Sequence, residues 1–144
     1  MEKYKVIIDA NIWISFLLGK RLSSLRSLCG NERLSIYICE KLMDEFTDVV
    51  LRPKISKSVA QQDIVDTIVL MKRHCITQSV SVNAVSPIRD KNDLYLLSLA
   101  DTISANYLIT GDKDLLVLQH HNQTKIVAYT EFMTILETMS NKRT

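Results

Sequence analysis

VIIDAN, residues 6–11, places a carboxylate, Asp9, at the end of a run of three apolar residues. A second segment, LITGDKD at residues 108–114, carries Asp112 in a similar position. Both segments have the pattern of a short buried strand followed by the turn into a helix. Ligands of open α/β sheets bind at the carboxyl ends of the strands, so we expect Asp9 and Asp112 to share a site at that edge.

Apolar residues elsewhere recur at strand and helix spacings. Strands are predicted at residues 4–8, 35–39, 107–110 and 125–129, with a weaker one within 75–85. Helices are predicted at residues 11–18, 22–29, 40–51, 58–74, 92–106 and 113–118, and a terminal helix is predicted from about Thr130 as its N-cap. Strands that alternate with helices favour an α/β fold with a parallel sheet covered on both faces.

Composition limits the class of protein. The chain has 144 residues, of which 47% are apolar, and shows no repeat or linker, so we expect one domain over residues 1–144. A formal net charge of +2 is too small to indicate nucleic-acid binding by itself. The three cysteines lack metal-site spacing and are expected to be free thiols. With no signal peptide and no membrane-length apolar run, we expect a soluble cytoplasmic protein with no membrane partner.

Two further acidic residues join Asp9 and Asp112 as candidates. Glu45 borders the apolar face of helix 40–51, and Asp93 lies at the start of a strongly apolar helix. Carboxylates from distant segments repel one another in a shared pocket, because each raises the pKa of the others. A divalent cation removes this conflict, and hard oxygen ligands suit Mg²⁺ or Mn²⁺. The pattern therefore indicates a metal-dependent phosphoryl-transfer site.

Each of these residues also has a purely structural interpretation. Asp9 or Asn11 could cap the helix that follows, and Asp90, Asn92 or Asp93 could do the same for the helix after residue 92. Glu45 could be an ordinary solvated residue of a helix surface. Gly111 permits either an unusual backbone turn or the close approach of a ligand.

Four segments in this order resemble the PIN-domain family. They are VIIDANIW at 6–13, EKLMDEFTDVVLRPK at 40–54, RDKNDLYLLSLA at 89–100 and ANYLITGDKDLL at 105–116. The resemblance extends from Lys5 to about Leu136 and is greatest to the toxin components of type II toxin–antitoxin systems. It implies a three-layer α/β/α sandwich with parallel strand order 3-2-1-4-5, and a Mg²⁺- or Mn²⁺-dependent ribonuclease.

The resemblance also implies roles for individual residues. The four acids of the family correspond to Asp9, Glu45, Asp93 and Asp112, which would be both catalytic and metal-binding. Asp114 corresponds to a further acid that supports the metal, and Asn11 and Thr110 to small polar residues that orient ligands. Two departures stand out: Ala10 replaces a frequent Thr or Ser, and residues 90–94 lack the proline and one acid of the usual loop.

The expected function is therefore that of an endoribonuclease in which a metal-activated water attacks the scissile phosphate. RNA is the expected substrate, with a cognate antitoxin as a protein partner and a homodimer as the assembly. Basic residues would hold the RNA, and the candidates are Lys20, Arg21, Arg26, Arg52, Lys54 and Lys57, with Lys91 and Lys113 nearer the acids. Trp13 is expected in the core rather than stacked on a base.

Two alternatives stay open on the sequence. One is a catalytically silent PIN-like module that binds protein or RNA. The other is a phosphatase of the haloacid-dehalogenase type, which also has an aspartate after its first strand. That chemistry requires a second acid two residues later, where this chain has Asn11.

Overall fold

The computed structural model describes residues 3–88 and 91–141. The strands are β1 (Tyr4–Ile8), β2 (Leu34–Ile38), β3 (Ile76–Thr77), β4 (Tyr107–Ile109), β5 (His120–His121) and β6 (Thr124–Val127). The helices are α1 (Ala10–Leu18), α2 (Leu22–Cys29), α3 (Glu40–Val50), α4 (Pro53–Ser56), α5 (Gln61–His74), α6 (Leu94–Ile103), α7 (Lys113–Leu116) and α8 (Tyr129–Asn141). A 3-10 turn, Lys91–Asp93, leads into α6.

The described residues form a six-stranded sheet in the order β3-β2-β1-β4-β6-β5. All neighbouring strands are parallel except β5, which pairs antiparallel with β6 at one edge. The parallel strands alone follow the order 3-2-1-4-5 when β6 is counted as the fifth. The predicted α/β fold with a parallel sheet and flanking helices is therefore confirmed, and the hairpin strand β5 is an addition to it.

The central strands lie inside the molecule. Val6, Ile7 and Ile8 of β1 have no solvent exposure, as expected of a parallel strand covered on both faces. Helix α1 packs against α3 and carries Trp13, which is also fully buried. The prediction that Trp13 belongs to the core is confirmed.

The strand order changes direction at the centre of the sheet. From β1 the chain moves outward on one side through β2 and β3, and then returns to the other side of β1 to form β4 and β6. The carboxyl ends of β1 and β4 are neighbours at this reversal, because Ile8 pairs with Ile109. In open α/β sheets such a switch point creates the crevice that binds ligands.

Several predicted boundaries were wrong. Pro53 follows the end of α3 as expected, but it also starts the short helix α4, since proline suits the first position of a helix. The helix predicted over 58–74 begins only at Gln61. The terminal helix starts at Tyr129, which places Thr130 inside the helix and not at its N-cap. Strand β5 was missed because two residues carry no readable pattern. Asp90 lies outside the described residues.

The three thiols of Cys29, Cys39 and Cys75 are free, and the last two are buried. None of the helices in residues 3–88 and 91–141 has the length and apolar character needed to cross a membrane.

Candidate active site

Asp9 is a buried carboxylate at the carboxyl end of β1. Its side chain is 2% exposed, and its backbone N–H donates to the carbonyl oxygen of Ile109 at 2.9 Å. One carboxylate oxygen, Oδ1, accepts from the backbone N–H of Asn11 at 3.3 Å and so caps α1. The other, Oδ2, accepts from the hydroxyl of Thr110 at 2.7 Å. The capping interpretation thus holds for Asp9, and it leaves this residue in the crevice at the switch point.

Thr110 connects the two strand ends. Its fully buried hydroxyl donates to Asp9 and accepts from the backbone N–H of Asp112 at 3.0 Å. A single side chain therefore ties the turn after β1 to the turn after β4. Asn11, the other small polar residue singled out by the sequence, is exposed, and its backbone N–H is the group that contacts Asp9.

Asp112 is the N-cap of α7. Its Oδ1 accepts from the backbone N–H groups of Asp114 at 2.8 Å and Leu115 at 3.3 Å. Asp114 is half-buried in the first turn of that helix. Of the two roles open to Gly111, the unusual backbone turn is excluded: no glycine among the described residues has a positive φ, and an added Cβ would meet only Ile12 Cδ1, at 3.9 Å. Gly111 is exposed, which leaves room for close approach of a ligand.

Glu45 is held by a tyrosine from another helix. It is half-buried on α3, and its Oε2 accepts a hydrogen bond from the hydroxyl of Tyr95 on α6. Glu45 also lies on the wall of a groove of about 550 Å³. The groove is lined by Lys41, Asp44, Glu45, Thr47, Asp48, Leu51 and Asn92. Glu45 is therefore not a freely solvated glutamate, because α6 packs its first turn against it.

Asp93 lies between two residues that meet α3. Asn92, before it, lines the groove beside Glu45, and Tyr95, two residues after it, bonds to Glu45. Asp93 itself is half-buried at the end of the 3-10 turn, directly before α6. The chain at Asp93 therefore runs beside Glu45.

The electrostatics show which acids influence one another. Burial is the largest cause that raises the pKa of Asp9 above its ordinary value, and the nearby charges of Glu45 and Asp112 raise it further. The hydrogen bonds from Thr110 and Asn11 oppose this rise. Burial also raises the pKa of the Tyr95 hydroxyl, as do its bond to Glu45 and the charges of Glu45 and Asp9. Asp9 therefore lies in the field of both Glu45 and Asp112, and the Tyr95 hydroxyl lies in the field of Asp9 and Glu45.

Whether these residues suit a metal ion depends on donor type and on arrangement. Hard carboxylate oxygens in mutual repulsion are the donor set that Mg²⁺ and Mn²⁺ favour. Within residues 3–88 and 91–141, however, no group of three or more acidic, histidine or cysteine side chains is arranged to hold a metal. Instead, hydrogen bonds from other protein groups are accepted by carboxylate oxygens of Asp9, Glu45 and Asp112. The carboxylate ligands are therefore of the type that binds this ion, but the described side chains are not close enough together to surround it.

The predicted RNA-binding residues lie at different places. Arg52 and Lys54 are exposed at the start of α4, and Lys113 is exposed at the start of α7, next to Asp112. Lys91 donates from Nζ to the carbonyl oxygen of Ser86 at 2.9 Å. Three other candidates lie elsewhere: Lys20 is exposed after α1, Arg21 lies over the ring of Phe16, and Arg26 lines a cleft between α2 and α5. Lys57 is exposed after α4.

Sequence reasoning missed Tyr95 and Lys41. Tyr95 stands among leucines in an apolar helix, and its only distinguishing signal is a polar hydroxyl two residues after Asp93. Lys41 is one turn before Glu45 on α3, and its Nζ lies 5.2 Å from the centre of the Tyr95 ring. Neither role could be read without knowing that α3 and α6 meet.

Comparison with known proteins agrees with this architecture. The PIN-domain family model matches residues 5–114. Among solved structures, the PIN domain of T. brucei RRP44 is similar with a TM-score of 0.50 and 13% identity, over 97% of this chain and 84% of that chain. At that identity the likeness concerns the fold alone. A search of curated proteins found no match. Because the family model spans well over half of the chain, the protein belongs to the PIN-domain family.

Proposed function

We propose that this protein is a metal-dependent endoribonuclease whose site is formed by Asp9, Glu45, Asp93 and Asp112. The observation that carries the proposal is the setting of Asp9. It is 2% exposed at the switch point of the sheet, and the charges of Glu45 and Asp112 act on it there. PIN domains are generally metal-dependent nucleases, and the sequence resemblance assigns the four acids of the family to these four residues.

Repulsion among the carboxylates of the site favours the binding of a cation there. Acidic side chains that raise one another's pKa destabilise the fold unless a cation or a proton balances them. A fold that retains such a group at its ligand-binding edge is therefore expected to take up a cation there. The residues that would hold Mg²⁺ or Mn²⁺ are Asp9, Asp93 and Asp112, with Glu45 and Asp114 in support. When bound, the ion would supply activation of water and neutralisation of charge on a phosphate.

The other residues prepare this site. Thr110 bonds to Oδ2 of Asp9 and to the backbone N–H of Asp112, so it fixes the position of the Asp9 carboxylate relative to the Asp112 backbone. Asn11 fixes the second oxygen of Asp9 through its backbone N–H. Exposed Gly111 leaves room beside Asp112 for the substrate backbone. Arg52, Lys54, Lys91 and Lys113 supply positive charge that attracts RNA phosphates, and Lys41 on the groove wall adds to them.

The biological setting that we propose is a toxin–antitoxin pair in the cytoplasm. Its support is the sequence resemblance to toxin components of the family. In that setting the substrate is RNA, the protein partner is a cognate antitoxin that blocks cleavage, and the toxin forms a homodimer. Size-exclusion chromatography with light scattering tests the last point: a mass of twice 16.5 kDa is expected, and a monomer at micromolar concentration contradicts it.

The test of the enzymatic function uses RNA with a single 2′-deoxy residue at a mapped cut site. Because water is the proposed nucleophile, the neighbouring 2′-hydroxyl is not needed. We expect cutting with Mn²⁺, none with EDTA, and products with a 5′-phosphate and a 3′-hydroxyl. Asp9→Asn and Asp112→Asn should each reduce the rate at least ~100-fold, a loss typical of removing a key group at an active site.

Three results would overturn the proposal. Cutting that persists in EDTA, or cyclic phosphate ends on normal RNA, would point to attack by the 2′-oxygen. Full-strength RNA binding without any cleavage, for wild type and Asp9→Asn alike, would identify the silent binding module instead.

A further inference from the structure

A hydrogen bond between α6 and α3 holds the side chain of Glu45. The hydroxyl of Tyr95 donates to Oε2 of Glu45, and this bond joins α6 to α3 across fifty residues of sequence. Tyr95 is half-buried in the first turn of α6, two residues after Asp93. Its ring lies beneath the ammonium group of Lys41, at 5.2 Å. The tyrosine is thus fixed at both its ring and its hydroxyl.

Glu45 needs such a contact more than Asp9 and Asp112 do. Asp9 and Asp112 have short side chains whose oxygens accept backbone N–H bonds at helix starts. Glu45 has one more rotatable bond, stands in the middle of α3 and borders an open groove. Without a restraining contact, the longer Glu45 side chain is free to turn toward the solvent in the groove that it borders.

We propose that Tyr95 is a positioning residue that holds the Glu45 carboxylate at the metal site. This inference rests on the proposed function, since it names the residue that completes that site. The phenol donates to one carboxylate oxygen only, and the bond opposes rotation of Glu45 into the groove. Groups that orient a metal ligand in this way commonly change metal affinity about 10–100-fold when they are removed.

Lys41 contributes to the same arrangement. Its cation over the ring face favours the orientation of Tyr95 in which the hydroxyl reaches Glu45. Lys41 and Glu45 are one helical turn apart on α3, so both ends of the contact rest on a single rigid element. The geometry therefore depends on α6 docking against one face of α3.

The experiment measures Mn²⁺ affinity and needs no activity. The full chain is freed of metal with EDTA and then titrated with Mn²⁺, followed by electron paramagnetic resonance of the free ion. The variants are Tyr95→Phe, Glu45→Ala and the double variant. Tyr129→Phe is the matched control, because Tyr129 also carries a cation over its ring, Arg21 at 5.9 Å, but packs at the start of α8 against Phe16.

We expect Tyr95→Phe to weaken Mn²⁺ binding about 10–100-fold. The double variant should bind no more weakly than Glu45→Ala, because Tyr95 acts through Glu45 alone. Tyr129→Phe should bind like wild type. Thermal melts in EDTA check that each variant is folded, and a Tyr95→Phe protein that melts as wild type does but binds Mn²⁺ weakly separates positioning from stability.

Each contrary result has its own meaning. Wild-type affinity in folded Tyr95→Phe overturns the positioning role and leaves the metal site standing. Losses that multiply in the double variant also overturn it, since they mean that Tyr95 acts independently of Glu45. Wild-type protein that binds no Mn²⁺ at millimolar concentration overturns the proposed function and this inference together.

Discussion

At the scale of single residues, Asp9 serves the fold and the site at once. It caps α1 through one oxygen and accepts from Thr110 through the other, while burial and the charges of Glu45 and Asp112 raise its pKa. The position of this acid was predictable, because a carboxylate after a short apolar run belongs at a strand end. The family resemblance implied only a ligand-orienting role for Thr110. Its bridge between Asp9 and Asp112 was not predicted, since it depends on β1 and β4 being neighbours.

Asp9→Asn is expected to stabilise the metal-free protein by about 0.5–2 kcal/mol, a range typical of relieved charge strain. An amide can still cap α1 through its oxygen, and it removes a buried charge from the field of two other acids. Thermal or urea unfolding in EDTA measures the change. A large loss of stability would mean that the carboxylate is mainly a structural cap.

The difference in stability between wild type and Asp9→Asn is expected to depend on pH. The pKa of Asp9 is higher in the folded protein than its ordinary value, so the folded state holds the proton more tightly. Wild-type stability relative to Asp9→Asn should therefore fall as pH rises from about 4 to above the raised pKa. At lower pH the neutral acid resembles the amide and the difference should vanish. A difference that grows as pH falls would contradict this assignment.

Thr110→Val tests the bridge between the two strand ends. Valine fills the same space but leaves Asp9 and the Asp112 N–H without the hydroxyl that both contact, so we expect a loss of about 1–3 kcal/mol in urea unfolding. Thr110→Ser is the control, because it keeps the hydroxyl and loses only a methyl group. Wild-type stability of Thr110→Val, together with a loss of stability in Thr110→Ser, would show that packing, not the hydrogen bonds, matters at this position.

At the scale of elements, α6 contacts both α3 and the irregular segment that follows β3. Its first turn meets α3 through Tyr95, and its later turns hold the irregular segment after β3. Ser98 Oγ accepts from the backbone N–H of Ala84 at 3.0 Å, and Thr102 Oγ1 accepts from that of Ser81 at 3.1 Å. The helix was predictable from its apolar periodicity. Its partners were not, because they come from segments without a regular pattern.

Ser98→Ala should loosen this segment. Ala84 is buried, so its N–H would lose its acceptor at a cost of about 1–3 kcal/mol, and its amide hydrogen should exchange faster with solvent. Hydrogen exchange followed by mass spectrometry over residues 78–88 measures the effect. Thr102→Ser, which retains its hydroxyl, is the control and should leave exchange unchanged. Unchanged protection in Ser98→Ala would show that other contacts fix the segment.

At the scale of the whole molecule, the sheet order brings together acids that are far apart in sequence. The strand order places β1 next to β4, so Asp9 lies near Asp112, and Glu45 on α3, bonded to Tyr95 on α6, acts on Asp9. Alternating strands and helices predicted the parallel sheet. The two-residue strand β5, the helix that begins at Pro53 and the contact between Glu45 and Tyr95 could not be predicted, because each is decided by tertiary packing.

The central claim is that acids from four distant segments form one metal site, and crystals grown with Mn²⁺ test it most directly. Diffraction data recorded near the manganese absorption edge locate the ion independently of the protein model. We predict an anomalous peak in contact with carboxylate oxygens of Asp9 and Asp112 in wild type, and its loss in Asp9→Asn. A peak elsewhere on the surface that persists in Asp9→Asn, with none beside Asp9, would contradict the account.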